Sequence, residues 1–175
     1  MKAYNAKNIR NIVVAGHGGR GKTTLAEAML YISNATDRLG RVPDGNTVMD
    51  FDAEEKRRKC SIASAVASFE WKNTKINIID TPGADDFVGG AVSAFKVCDL
   101  GVLVVNAQQG VEVGTQIFSR YGKEYGIPMI AAVNQLDGDK ANFDATVEGV
   151  RANSSVKPVI VQYPVNQGAG FDSFI

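Results

Sequence analysis

The 175 residues are enough for one domain with a buried core. With 19 basic and 19 acidic residues the formal charge is zero, so no global basic field draws the chain to DNA, other nucleic acid or a membrane surface. No apolar run has the length of a membrane span and no secretory leader is expected; the two cysteines, Cys60 and Cys98, make no disulfide framework and point to a reducing compartment, the cytoplasm.

In chain order, the apolar run 9–16 reads as a buried strand. Leu25, Ala28, Met29 and Ile32 then recur at helical spacing over 22–34. Between them stands Gly16-His17-Gly18-Gly19-Arg20-Gly21-Lys22-Thr23, the pattern G-x-x-x-x-G-K-[ST]. A glycine-rich turn delivering a helix N-terminus aims backbone N–H groups at one anion, and Gly18, Gly19, Arg20, Gly21, Lys22, Thr23 and Thr24 are the candidate phosphate binders. Lys22 adds a cation for the β- and γ-phosphates, and the Thr23 hydroxyl is placed for Mg²⁺. His17 has no partner histidine and is not read as a metal ligand.

A polar stretch follows over 35–60, longer than ordinary connections. Beside a phosphate site it is expected to be disordered or a switch segment, with nothing in it to build a core. Its charged run 52–59 reads in itself as a solvated face, and Cys60 as an accessible thiol. Strands are expected at 61–71 and 75–80, joined by the tight turn Lys72-Asn73-Thr74 as an antiparallel pair. Asp80-Thr81-Pro82-Gly83 ends the second strand. There a carboxylate is placed to hold Mg²⁺ and Gly83 to bring its N–H to a γ-phosphate. A helix near 86–97, a strand at 99–106 beginning after Cys98, a helix at 112–125 and a strand at 127–134 come next. The last strand runs into Asn134-Gln135-Leu136-Asp137. Asp137 can accept from guanine N1–H and the 2-amino group, a donor pair adenine lacks, while Asn134 holds the loop and reaches the purine edge. A helix at 141–152 and a strand at 156–163 complete the pattern. The fold class is α/β: a P-loop NTPase of three layers, with a mixed, mostly parallel sheet, helices on both faces and the ligand at the C-terminal strand ends.

The stretches Asn8-Ile9-Arg10-Asn11-Ile12, Lys22-Thr23-Thr24-Leu25, Ile76–Gly83 and Ala141-Asn142-Phe143 resemble the GTPase domain of the translational GTPases, in particular elongation factor G. Gly16-His17-Gly18-Gly19 and Asp44-Gly45-Asn46-Thr47-Val48 resemble its divergent "elongation factor G-like" members. The resemblance implies GTP and GDP with Mg²⁺ as ligands, with Thr23, Ser61 and Asp80 around the metal. It also implies a ribosome-linked partner reached through a full-length protein whose first domain this is. In that family a Ser-Ala loop completes the guanine pocket. Residues 1–175 stop before it, so they are expected to be a monomeric G domain cut from a longer chain.

The departures from the family pattern bear on mechanism. The family histidine that orients the attacking water falls at Ala84, and a methyl group cannot orient water; the neighbouring Asp85 is a weak substitute. Gly19 replaces an aspartate that helps hold a monovalent cation, and Gln135 replaces a lysine whose stem lies over the base. The first switch reads Arg58-Lys59-Cys60-Ser61, keeping a hydroxyl at Ser61. Arg20 either contacts a phosphate or faces solvent. Two functions compete on this reading: a GTPase that is slow unless the ribosome stimulates it, and a guanine-nucleotide-binding switch with little or no hydrolysis.

Overall fold

The computed structural model describes residues 3–154 and 156–175. Five strands, β1 (Ile9–Ala15), β2 (Ala65–Trp71), β3 (Thr74–Asp80), β4 (Leu100–Asn106) and β5 (Met129–Asn134), form one sheet in the order β2-β3-β1-β4-β5. β2 and β3 are antiparallel, joined through Lys72 and Asn73, both at positive φ, and pair from Trp71 against Thr74 to Ala65 against Asp80. β3, β1, β4 and β5 run parallel, as their helical crossovers require.

The strands alternate, and each sheet face receives its own helices. Val13, Ala15, Leu103 and Val105 turn to one face, where α3 (Val88–Phe95) and α4 (Val113–Glu124) supply Ala91, Phe95 and Phe118. Val14, Ile78, Val102 and Val104 turn to the other, covered by Ala26 and Leu30 of α1 (Lys22–Ile32). A smaller cluster of Ala107, Leu136 and Phe143 seats α5 (Phe143–Asn153) behind β5. This is the three-layer α/β arrangement that the sequence predicts.

Two expectations are corrected. The stretch 35–60 does build core: Met49 is 1% exposed and packs in the α1 cluster against the sheet. The stretch also carries the short helix α2 (Ala53–Arg58), started by a capping box from Asp52 and Glu55. Residues 156–163 do not form the expected strand. Val159 and Val161 are 83% and 89% exposed, and the end of this run pairs with the last residues of the chain instead. Tyr163 N–H donates to Ile175 O (2.8 Å), and Ile175 N–H donates back (2.9 Å). The run has β propensity, but Pro158 removes a ladder donor and β5 does not take it as a neighbour.

Candidate functional site

β1 ends at Ala15 and the chain turns through Gly16 at φ +143°, where an added Cβ would lie 2.4 Å from Val104 O. The loop then closes onto α1 through Gly21 (φ +91°), which makes room for Asn134: a Cβ at Gly21 would lie 2.4 Å from Asn134 Nδ2. Among the described residues no side chain caps α1, which leaves its first-turn N–H groups available to an anion. They open on a cleft of about 350 Å³ lined by Gly18, Gly19, Gly21, Lys22, Thr23 and Thr24 from this loop. Ser61, Gly83, Ala84 and Gln135 line it from the other loops.

Lys22 is 6% exposed and its Nζ donates to His17 O (2.9 Å). Burial pushes its ammonium below the usual lysine value, against the pull of Asp80. Gly83 lies so close that a Cβ would come within 2.2 Å of Lys22 Nζ and 2.8 Å of the Gly18 backbone. The absence of a side chain there is a steric requirement of the loop contact.

At the floor of the cleft Thr23 Oγ1 donates to Asp80 Oδ2 (2.6 Å), and Ser61 Oγ donates to Asp50 Oδ1 (2.6 Å). The two hydroxyl oxygens stand 3.2 Å apart. Each hydroxyl has one proton, and with both acids ionised each is already used on a carboxylate, so the oxygens face each other with lone pairs. Asp80 Oδ1 and Asp50 Oδ2 are buried and find no partner among the described residues. Burial, opposed by the Thr23 hydrogen bond and Lys22, pushes Asp80 up to about 7. Burial also raises Asp50, against the Ser61 hydrogen bond. Four oxygen-bearing groups with orphaned lone pairs fit a hard divalent cation. Among the described residues no group of three His, Cys, Asp or Glu forms a metal cluster, so the donor set needs phosphate oxygens to be completed. Sequence reasoning missed Asp50: it stands alone between Met49 and Phe51 in a long connection, and only the docking of Met49 next to it distinguishes it.

The Asn134–Asp137 motif is tied to the phosphate loop. Asn134 Nδ2 donates to Arg20 O (2.9 Å), and Asn106 Nδ2 donates to Gln135 Oε1. Gly168 N–H donates to Leu136 O (2.7 Å), so the chain end supports the same loop. Gln135 sits at φ +60° on the cleft wall, and Asp137 is exposed beyond it. Arg20 does not line the cleft. Its guanidinium forms a bidentate pair with Glu112 at the start of α4, both distances 2.7 Å, which raises its pKa further. His17 Nε2 lies 3.7 Å from the same Glu112. Asp85 and Ala84 are both exposed, and of the two only Ala84 lines the cleft.

A mostly parallel sheet ending in a glycine loop, a buried lysine and a paired hydroxyl–carboxylate floor defines a phosphate-loop nucleotide-binding domain. A family model described as the elongation factor Tu GTP binding domain matches residues 7–173, and the chain belongs to that family. Among similar proteins is the mitochondrial ribosome-releasing factor 2 of Bos taurus, 40% identical over 167 residues that are 95% of this chain and 22% of that one. Elongation factor G of Mycoplasma genitalium is 36% identical over 174 residues, 99% of this chain and 25% of that one. A crystal structure of a Thermus thermophilus protein superposes with a TM-score of 0.88 at 32% identity, over 95% of this chain and 25% of that one. The chain thus spans about a quarter of the length of these relatives.

Proposed function

We propose that this domain binds GTP and GDP with Mg²⁺ and serves, within a longer protein, as the nucleotide switch of a ribosome-linked factor in the cytoplasm. The observation that carries the reading is the floor of the cleft, where Thr23, Ser61, Asp80 and Asp50 converge with two buried oxygens unpartnered. Mg²⁺ held there would neutralise charge between the β- and γ-phosphates. Lys22 and the free N–H groups of α1 bind the same phosphates from the other side. The cytoplasmic assignment rests on the two cysteines, both free.

The guanine assignment rests on Asp137, with Asn134 joining its loop to the phosphate loop. Its test is calorimetry of wild type and Asp137→Asn with GDP, ADP and xanthosine diphosphate. Wild type is expected to prefer GDP by ~10²-fold or more, as a site built to pair with a donor edge does, and the variant to prefer the xanthine nucleotide. Equal binding of GDP and ADP by wild type rejects guanine recognition.

Hydrolysis by the isolated domain is expected to be slow. The residue after Gly83 on the cleft wall is Ala84, whose methyl neither orients nor deprotonates water, and Gly19 brings no carboxylate. The same two residues favour the second reading, a switch that holds GTP with little or no turnover. Ribosomes supplied in trans distinguish the two.

A further inference from the structure

Asp50 and Ser61 reach Thr23 from the connection that leaves α1 and rejoins the sheet at Ala65. Two buried carboxylates hold that connection, one at each end of the part that matters. Glu27, on α1 and 0% exposed, accepts on Oε1 from Val48 N–H (2.7 Å) and Met49 N–H (3.0 Å). Glu55, on α2 and 2% exposed, accepts on Oε1 from Ile62 N–H (2.9 Å) and Ala63 N–H (3.1 Å), and on Oε2 from Asp52 N–H (3.2 Å). The first pair of amides immediately precedes Asp50, and the second immediately follows Ser61. Each carboxylate therefore acts through the backbone that presents a donor group to Thr23.

We propose that Glu27 and Glu55 are the positioning residues of the metal and γ-phosphate arm, fixing Asp50 and Ser61 over Thr23 by gripping the backbone on either side of them. The inference rests on the reading of Thr23, Ser61 and Asp80 as a Mg²⁺–nucleotide site. A charged acceptor grips a backbone N–H about twice as strongly as a neutral one, and each of these accepts two on a single oxygen. The fit around Glu27 is close: a Cβ on Gly40 would lie 2.2 Å from its Oε2 and 2.8 Å from Thr47 Cα. Among the described residues that Oε2 is buried without a partner, a desolvation cost set against the two hydrogen bonds to its Oε1. The two negative charges also reach the site directly. Glu27 adds to the upward shift of Asp80, and Glu55 to that of Asp50, which deepens the negative field a cation would enter.

The test compares Glu27→Ala, Glu27→Gln, Glu55→Ala, Glu55→Gln and Thr23→Ala in the full chain. Its readouts are amide hydrogen exchange and GDP affinity with Mg²⁺ or with chelator. Each alanine variant is expected to speed exchange over 48–63 by about tenfold or more, the effect of losing hydrogen bonds to a charged acceptor, while β1 and β4 exchange as in wild type. The Mg²⁺-dependent gain in affinity is expected to fall by about tenfold with affinity in chelator unchanged, and glutamine, which keeps an acceptor oxygen, to restore most of both. Exchange over 48–63 unchanged in a folded alanine variant overturns the proposal, as does acceleration spread evenly over the sheet. If Glu27→Ala does not fold, Glu55→Ala decides, since Glu55 lies outside the sheet–helix clusters. If Thr23→Ala keeps the full Mg²⁺ gain, the metal reading fails, and the exchange result still decides whether the two glutamates hold the arm.

Discussion

The Asp80→Asn variant tests the electrostatics of the cleft floor in metal-free, nucleotide-free protein. Asp80 is 1% exposed, and its carboxyl is raised from 3.8 to about 7, first by burial. A change of that size corresponds to about 4 kcal/mol between the two protonation states. The folded state binds this proton more tightly than the unfolded chain does. The associated stability is therefore complete below about pH 4, is lost as pH rises toward about 7, and falls no further above it. The asparagine of the variant carries no charge, and its side-chain oxygen still accepts from the Thr23 hydroxyl. In chelator, Asp80→Asn is thus expected to match wild type near pH 4 and to exceed it at pH 8 by as much as about 4 kcal/mol, or about 10 °C in Tm. Asp50, raised in the same direction, leaves a residual slope in both proteins. Urea unfolding followed by the fluorescence of Trp71, the single tryptophan, at a series of pH values measures this. With Mg²⁺ and GDP the order should reverse, because the carboxylate that is costly when bare becomes the favoured form beside a cation. Parallel pH profiles for the two proteins would refute this account of the cleft floor.

Lys22→Ala should abolish measurable GDP binding by calorimetry while the fold persists by circular dichroism, since it removes the buried cation at the phosphate loop. A double-mutant cycle of Arg20→Ala and Glu112→Ala in urea unfolding should give a coupling of about 1 kcal/mol, as for a partly buried bidentate pair. Zero coupling would mean that the pair does not hold the phosphate loop to α4. Ala84→His should raise single-turnover GTP decay on ribosomes toward the ~10²–10⁴-fold that a positioned proton-handling group supplies. No change there, or a fast wild type that Asp85→Ala silences, would place the limiting step elsewhere.

The mixed, mostly parallel sheet was legible because β1, β3 and β5 each run into a motif, at Gly16, Asp80 or Asn134, and because a two-residue turn makes its strands antiparallel while helical connections make theirs parallel. The glycine loop between β1 and α1 was legible for the same reason: a local motif fixes local backbone. Arg20 was not, since its direction is set by Glu112, far away in sequence and uninformative in its own window. Asp50, Glu27 and Glu55 were hidden likewise. Each is an acid whose ordinary place is solvent, and burial came from Met49 docking and from backbone amides that spacing does not reveal. The unformed strand at 156–163 has the reverse cause: its propensity is plain, but a strand needs a partner.

The burial of Met49 bears on how often the connection between α1 and β2 can be open. Any conformation in which it lifts from the sheet must return that side chain to water, at about 1.5–3 kcal/mol. On that term alone the lifted form is held to between about a tenth and a hundredth of the molecules. A nucleotide arriving at the cleft therefore meets an arm that is already mostly in place. On the proposed function, a γ-phosphate would shift only the remaining fraction and would not have to assemble the arm from a disordered chain, so the contrast between GDP- and GTP-bound forms would be set by how far GDP weakens a closed resting form.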